Sequence, residues 1–257
     1  MLNYIRVLKY DGLTDSLKDM SIDNQDESFV ITESFGSDDY LYIGQEFPFN
    51  NLFFHVETPT VENFDFKVEY WGSSKWYDAK DILDGTNGLS RSGVLQFTPD
   101  RHHKWHYVQD TSEKSSPEHL NNVEIYDLYW IRLKLDSLVT PSVALHQIGY
   151  AFTTSTEIDN FDVEINQFLS SFESNKTDWI KEIITASRLV VMDFKRFSLA
   201  QSYGAFLRFD DVNILATYKT LEVIYMNLGP SYADKRAEIR RLYNQATTVK
   251  AISIDQN

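Results

Sequence analysis

Cysteine is absent from the 257 residues, which excludes disulfide staples, thiolate zinc sites and a cysteine nucleophile. Basic residues are few: 24 Lys and Arg stand against 38 Asp and Glu, and the formal net charge of −14 excludes a generally basic nucleic-acid binder. Long apolar runs are also missing. Nothing approaches the roughly 20 residues of a membrane span, and the opening MLNYIRVLKYDG has no apolar core of the kind a signal peptide needs. The expectation is a chain made in the cytoplasm, without a membrane partner. Local signatures of catalysis are missing too, since no GxSxG, HExxH, P-loop or dinucleotide fingerprint occurs. The carboxylate pairs Asp38-Asp39 and Asp210-Asp211 fit turn and helix-cap chemistry. No enzymatic activity and no cofactor are expected. What is present is 42% hydrophobic and 14% aromatic residues, ample for packed cores.

Proline divides the chain unevenly: Pro48, Pro59, Pro99, Pro117 and Pro141 precede residue 150, and only Pro230 follows it. The first part alternates aromatic and β-branched residues with turn clusters, as in LYIGQEF, NLFFHVE, FDFKVEYW, GVLQFTP, YDLYWIRLKLD and VALHQIGYAF. This period of two predicts an all-β domain over 1–157. In Phe64 to Tyr70 the apolar side chains point one way and the charged ones the other, giving one buried and one wet face, and two such sheets pack as a sandwich.

Beyond Thr153-Thr154-Ser155-Thr156 the period becomes helical, predicting a bundle over 158–247. A short helix is expected at Val163 to Phe172. Thr177 caps a longer one reaching Phe197, and Asp210 or Asp211 begins another that Gly229-Pro230 ends. The last, capped by Ser231, carries Ile239, Leu242 and Tyr243 on one side and displays Lys235, Arg236, Arg240 and Arg241 on the other. Residues 248–257 read as an extended C-terminal tail in which Val249, Ala251, Ile252 and Ile254 are too apolar for a free end. Such a segment suits a sheet edge, either the chain's own or a partner's. Residues 1–157 hold 12 basic and 25 acidic residues, a net of −13, whereas 158–257 hold 12 and 13. The acidity belongs to the β part, so the helical part can approach protein or nucleic acid more closely.

Three groups carry candidate binding chemistry. His102, His103 and His106 have spacing that two imidazoles sharing a metal would allow, but Arg101 and Lys104 repel a cation, and a polar loop in which Trp105 turns inward is the reading preferred. Asp78, Asp81 and Asp84 supply hard oxygens suited to calcium, although the EF-hand ladder and its closing Glu are missing and an Asp-Gly turn accounts for them as well. Trp71, Trp76, Trp105 and Trp130 are candidates for a sugar platform or for core aromatics.

Two segments resemble known families. Tyr40-Leu41-Tyr42-Ile43-Gly44, Glu69-Tyr70-Trp71 with Trp76, Asp84-Gly85-Thr86-Asn87-Gly88-Leu89, Ser92-Gly93 and Tyr129-Trp130-Ile131-Arg132 occur in an order that resembles the jelly-roll or galactose-binding-like β-sandwich of tailed-phage virion and baseplate proteins, over residues 39–153. Phe168-Leu169, Trp179-Ile180, Ala216 with Tyr218 and Leu221, and the basic helix from Lys235 to Tyr243 resemble the head–tail connector (adaptor) proteins of tailed phages. The connector resemblance implies a non-enzymatic virion protein in the neck, forming a dodecameric ring beneath the portal. The partners it implies are copies of itself, the portal, and the tail, tail-terminator or neck proteins. Lys235, Arg236, Arg240 and Arg241 would then face partners or DNA in the ring lumen, and Val249, Ala251, Ile252 and Ile254 would add a strand to a portal subunit. The sandwich resemblance alone implies the alternative, a baseplate or tail component that binds carbohydrate or a receptor.

Overall fold

The alternation in Phe66-Lys67-Val68-Glu69-Tyr70 forms a strand whose Phe66, Val68 and Tyr70 are buried. The computed structural model describes residues 5–21, 29–30, 38–45, 49–61, 64–72, 74–100, 102–108, 119–120, 128–135, 143–149, 151–172, 176–196 and 209–254. Residues 255–257, Arg101 and Phe197, named above, lie outside them. The chain divides into two compact units, Met1–Gly149 and Tyr150–Asn257.

Among the described residues the first unit holds twelve strands: β1 Arg6–Asp11, β2 Ser16–Asp19, β3 Phe29–Val30, β4 Tyr40–Gln45, β5 Asn51–Thr58, β6 Phe66–Trp71, β7 Trp76–Asp78, β8 Lys80–Asp84, β9 Gly93–Thr98, β10 Tyr107–Val108, β11 Leu128–Leu135 and β12 Ala144–Gly149. They build two antiparallel sheets. The first runs β2-β1-β4-β11-β6-β7 with β10 also paired to β11, and the second runs β3-β12-β5-β9-β8. Phe54 of the second sheet stacks on Phe66 of the first at 5.8 Å between ring centres.

The wet face expected on β6 is different in the structure. Glu69 and Trp71, which share it with Lys67, are both buried. A layer of aromatic side chains covers this face, as described below.

Two glycines set the spacing of β8 and β9. A Cβ on Gly93 would stand 2.4 Å from the carbonyl oxygen of Gly85, and one on Gly85 would stand 2.8 Å from that of Val94. Positive φ in the following turn falls instead on Asn87, Gly88 and Leu89. Gly85 therefore serves close approach, and Gly88 serves the left-handed backbone that the turn requires.

The second unit begins before the expected boundary at 157. Thr154 caps helix α1 (Ser155–Phe161) in a capping box with Glu157. The Phe152 N–H donates to Ser187 Oγ, and the Phe152 carbonyl accepts from Asn213 Nδ2. The Thr/Ser-rich run is thus a helix start tied into the helical unit. A turn of 3-10 helix at Ile165–Phe168 leads into α2 (Leu169–Phe172), then α3 (Ile180–Arg196), α4 (Phe209–Leu228) and α5 (Ala233–Ile254). Just ahead of α3 the Asp178 carboxylate accepts from the Ile180 N–H, and Thr177 precedes it. Gly229 at φ 98° ends α4, and Ser231 sits inside the 3-10 turn Pro230–Tyr232. Leu215, Ala216, Leu221, Ile224 and Tyr225 are fully buried, so α4 is the central helix of the unit.

The extended tail is corrected by α5, whose backbone stays helical through Ile254 and so includes Val249, Ala251 and Ile252. No Gly or Pro follows Pro230, and the threonines fit because Thr247 and Thr248 return their hydroxyls to the carbonyls of Tyr243 and Asn244 at 2.8 and 2.9 Å. The β-branched run costs only a few tenths of a kcal/mol per residue against better helix formers. A strand added to a portal subunit from this segment loses its premise.

Candidate functional site

Register brings together on the first sheet residues that lie far apart in sequence. Arg132 of β11 stands opposite Tyr42 of β4 on one side and Glu69 of β6 on the other. Its Nε donates to Glu69 Oε2 at 2.6 Å, and its guanidinium lies 4.4 Å from the Tyr40 ring centre and 4.8 Å from that of Trp76. Only 11% of the Arg132 side chain and 10% of the Glu69 side chain are exposed. Burial disfavours the guanidinium charge, but the hydrogen bond and field of Glu69 outweigh it and raise the pKa of Arg132. At the rim Lys67 bridges Glu69 at 3.1 Å and Asp78 at 2.9 Å.

Aromatic rings continue the layer. Tyr42 lies 5.7 Å from Trp76, its hydroxyl shares a hydrogen bond with His119 Nδ1 at 3.0 Å, and the imidazole stacks on Tyr10 at 3.8 Å. Leu8, Trp71, Val108, Leu120, Leu128 and Trp130 pack with them. The indole N–H groups of Trp71 and Trp76 are buried and find no acceptor among the described residues. Of these rings Tyr40 and Trp76 are partly open, and an open aromatic face can stack on a planar or sugar ring.

The four tryptophans proposed for a platform are placed unequally. Trp130, Trp71 and Trp105 are buried, Trp105 giving its indole N–H to the Trp130 carbonyl at 3.1 Å, and only Trp76 is partly open. The histidines disperse. His103 stacks on Tyr77 at 4.0 Å, the His106 N–H bonds the Trp71 carbonyl, and the His102 N–H bonds Asp100, whose carboxyl Lys80 holds down to about 2. Asp78 pairs with Lys67, Asp81 is exposed, and Asp84 closes a turn by accepting from the N–H groups of Thr86 and Gly88 at 2.8 and 2.6 Å. Among the described residues no group of three His, Cys, Asp or Glu is arranged to hold a metal ion.

In the helical unit, residues read as an outward basic face turn to α4. Arg240 Nε donates to the buried Glu222 at 2.6 Å, and Lys235 reaches Asp162 at 2.8 Å. Lys219 bridges Asp193 at 3.1 Å and Glu222 at 3.4 Å, and the Tyr243 hydroxyl donates to Asp193 at 2.8 Å. Arg241 is exposed and bonds Gln245, while Arg236 is half-buried. Lys235 and Arg240 thus staple α5 to the unit's interior, which heptad-style reading of α5 alone misses because the acids lie on other elements.

Asp162 anchors one end of this seam. Burial pushes its carboxyl up, but hydrogen bonds from Lys235 and Tyr225 and the lysine's charge outweigh burial and hold it below the ordinary range. Tyr225 is pushed up to about 12, first by burial and then by its bond to Asp162. A depressed carboxyl contributes stability above its unfolded pKa of about 3.9 and loses it as pH falls toward the folded value. Thermal melts followed by helical circular dichroism should therefore fall more steeply between about pH 5 and pH 3 in the wild type than in Asp162→Asn. Equal slopes would mean that Asp162 is not the linked group.

Compared with known proteins, the chain matches no family model and no curated sequence. Among the described residues no helix is long and apolar enough to cross a membrane.

Proposed function

We propose that this chain is a non-enzymatic structural protein of a tailed-phage virion, a head–tail connector whose helical unit assembles into a ring. The observation that carries this reading is how the helical unit spends its side chains. Its charges Lys219, Glu222, Lys235 and Arg240 pair with one another and with Asp162 and Asp193, whereas Phe161 at 41%, Val163 at 79% and Ile214 at 40% exposure stand outward. Phe161 packs edge-on to Tyr218 at 5.1 Å, and Ile214 lies one turn from Tyr218 on α4, so Phe161, Tyr218 and Ile214 are neighbouring apolar positions of an outward patch. Such a patch suits contact with a neighbouring copy. The ring, placed in the neck of the particle, would meet the portal above and tail or neck proteins below, with Arg236 and Arg241 available to partners or DNA.

In the same reading the β unit is a jelly-roll-like sandwich. Its strands support this: β4, β5 and β6 alternate between sheets, β11 inserts between β4 and β6, and Phe54 meets Phe66. Ile214→Asp tests the assembly. Because Ile214 is partly exposed, the substitution should leave helical content unchanged while burying a charge in the ring contact, lowering incorporation into particles at least about tenfold. Normal incorporation of a folded Ile214→Asp protein would remove this patch from the interface.

A second reading, a carbohydrate- or receptor-binding tail component, is favoured by the Tyr40, Trp76 and Arg132 cluster with its unspent Trp76 donor.

A further inference from the structure

Helix α5 is attached to the helical unit by a different kind of contact from the one that holds α3 and α4. Leu215, Leu221 and Ile224 of α4 and Ile183 and Val190 of α3 are buried apolar residues among others on those helices. Among the described side chains of α5 only Ile239 and Tyr243 are buried apolar residues. Charge makes up much of the remaining seam. Arg240 Nε meets Glu222 of α4 at 2.6 Å, and Lys235 meets Asp162, beyond α1, at 2.8 Å. The Tyr243 hydroxyl donates to Asp193 of α3 at 2.8 Å, and Lys219 of α4 lies 4.2 Å from the Tyr243 ring centre while bridging Asp193 and Glu222. Three carboxylates and the Lys219 ammonium leave −2 on the side that α5 covers, and Lys235 and Arg240 bring +2 to it.

We propose that α5 is a charge-latched arm that leaves the rest of the helical unit while α3 and α4 stay packed, with rising ionic strength as the signal that releases it. The latch is shallow because opening returns its charges to water. With the arm closed, the Asp162 and Glu222 side chains are each 10% exposed, whereas those of Lys235 and Arg240 are 42% and 55% exposed. Attraction within such pairs is largely offset by a desolvation cost that opening reverses, and the half-open cations leave them within reach of screening salt. A segment with few buried apolar contacts opens at lower free energy than the core beside it. The pivot is placed to allow this. Tyr232 stays with the unit, its ring 5.8 Å from that of Tyr225 and edge-on to Phe168 at 5.3 Å, and Ala233 and Asp234 just beyond it are exposed. The movement therefore begins after Tyr232 and uncovers the strip of α4 that carries Lys219, Glu222 and Tyr225, over whose ring Lys235 lies at 5.0 Å.

The test is hydrogen exchange of the full chain, followed peptide by peptide by mass spectrometry at one pH in about 0.1 M and about 1 M NaCl, between which the screening length falls from about 10 Å to about 3 Å. Detached from α4, the arm loses the packing that supplies most helical stability, so its amides exchange whenever it is open. Amides of 235–248 should exchange about fivefold faster at the higher salt, while those of 212–225 should change by less than about twofold. Arg240→Gln removes one latch through a side chain that is 55% exposed. It should give about the same acceleration, confined to α5, already at the lower salt, and a weaker further response to salt. Glu222→Gln should act alike from the other partner, and Arg240→Gln carries the test should Glu222→Gln lower the stability of the whole unit. Arg241→Gln, whose side chain bonds Gln245 within α5, should exchange as wild type. Acceleration of 212–225 in step with 235–248 would show that the unit opens as one. Exchange of α5 that neither salt nor Arg240→Gln alters would show that charge does not hold the arm, and either result would overturn the proposal.

Discussion

Replacing Glu69 with alanine should destabilise the β unit by about 3–5 kcal/mol, because it strands the Arg132 guanidinium in a nearly closed aromatic layer. The two side chains are 10% and 11% exposed and meet at 2.6 Å, so neither charge has much water to return to. Attraction within the pair offsets a desolvation cost already incurred in folding, and removing one partner leaves that cost uncompensated. The same reasoning predicts the opposite behaviour for a matched apolar replacement. Glu69→Leu combined with Arg132→Met removes both charges at once, keeps much of the volume, and should recover most of the loss. Tryptophan fluorescence during urea unfolding reads this directly, since four of the five tryptophans lie in residues 1–149. If the double variant is no more stable than Glu69→Ala, the loss comes from packing or from Lys67 rather than from an unpaired charge.

Trp130→Ala should cost a similar amount, about 3–5 kcal/mol, through cavity formation. The indole is fully buried, packs in the cluster of Leu8, Tyr42, Trp71 and Leu128, and faces a position kept bare for it. A Cβ at Gly44, its cross-strand neighbour, would stand 2.9 Å from the ring carbons of Trp130. Glycine at 44 is therefore a packing choice rather than a turn requirement. Trp130→Phe fills more of the volume and should lose about half as much as the alanine variant. For a domain of this size, a loss of 3–5 kcal/mol corresponds to a melting temperature lowered by roughly 10 °C or more. A shift of only a degree or two for Trp130→Ala would show that the layer collapses to fill the hole.

How far these features can be read from residues alone depends on what each signal measures. Period-two runs and the glycine/serine clusters mark the strands because side-chain direction in a strand is a local property. The same alternation misleads at Glu69, flanked by apolar residues and so read as facing water. Burial on the second face depends on which strands become neighbours, and β4, β6 and β11 come from three distant stretches. The start of the helical unit was legible, since Thr154 and Glu157 have capping-box spacing, but a Thr/Ser-rich run also suits a linker. Gly229-Pro230 marks the end of α4 without ambiguity because no other element tolerates that pair so readily. The C-terminal segment shows the reverse case. Val249, Ile252 and Ile254 favour a strand intrinsically, yet a helix already propagating from Ala233 extends at little cost where nothing stops it. The basic side of α5 was visible as a pattern, whereas its pairing with Glu222 and Asp162 required the positions of α4 and the turn after α1.

The connector reading stands or falls on where the chain sits in an assembled particle and in how many copies. A low-resolution electron cryo-microscopy map of intact particles, with the chain located by a fused marker at its N-terminus, measures both at once. The account predicts a closed ring of density at the neck between head and tail. A single copy, or marker density confined to the distal end of the tail, would contradict it.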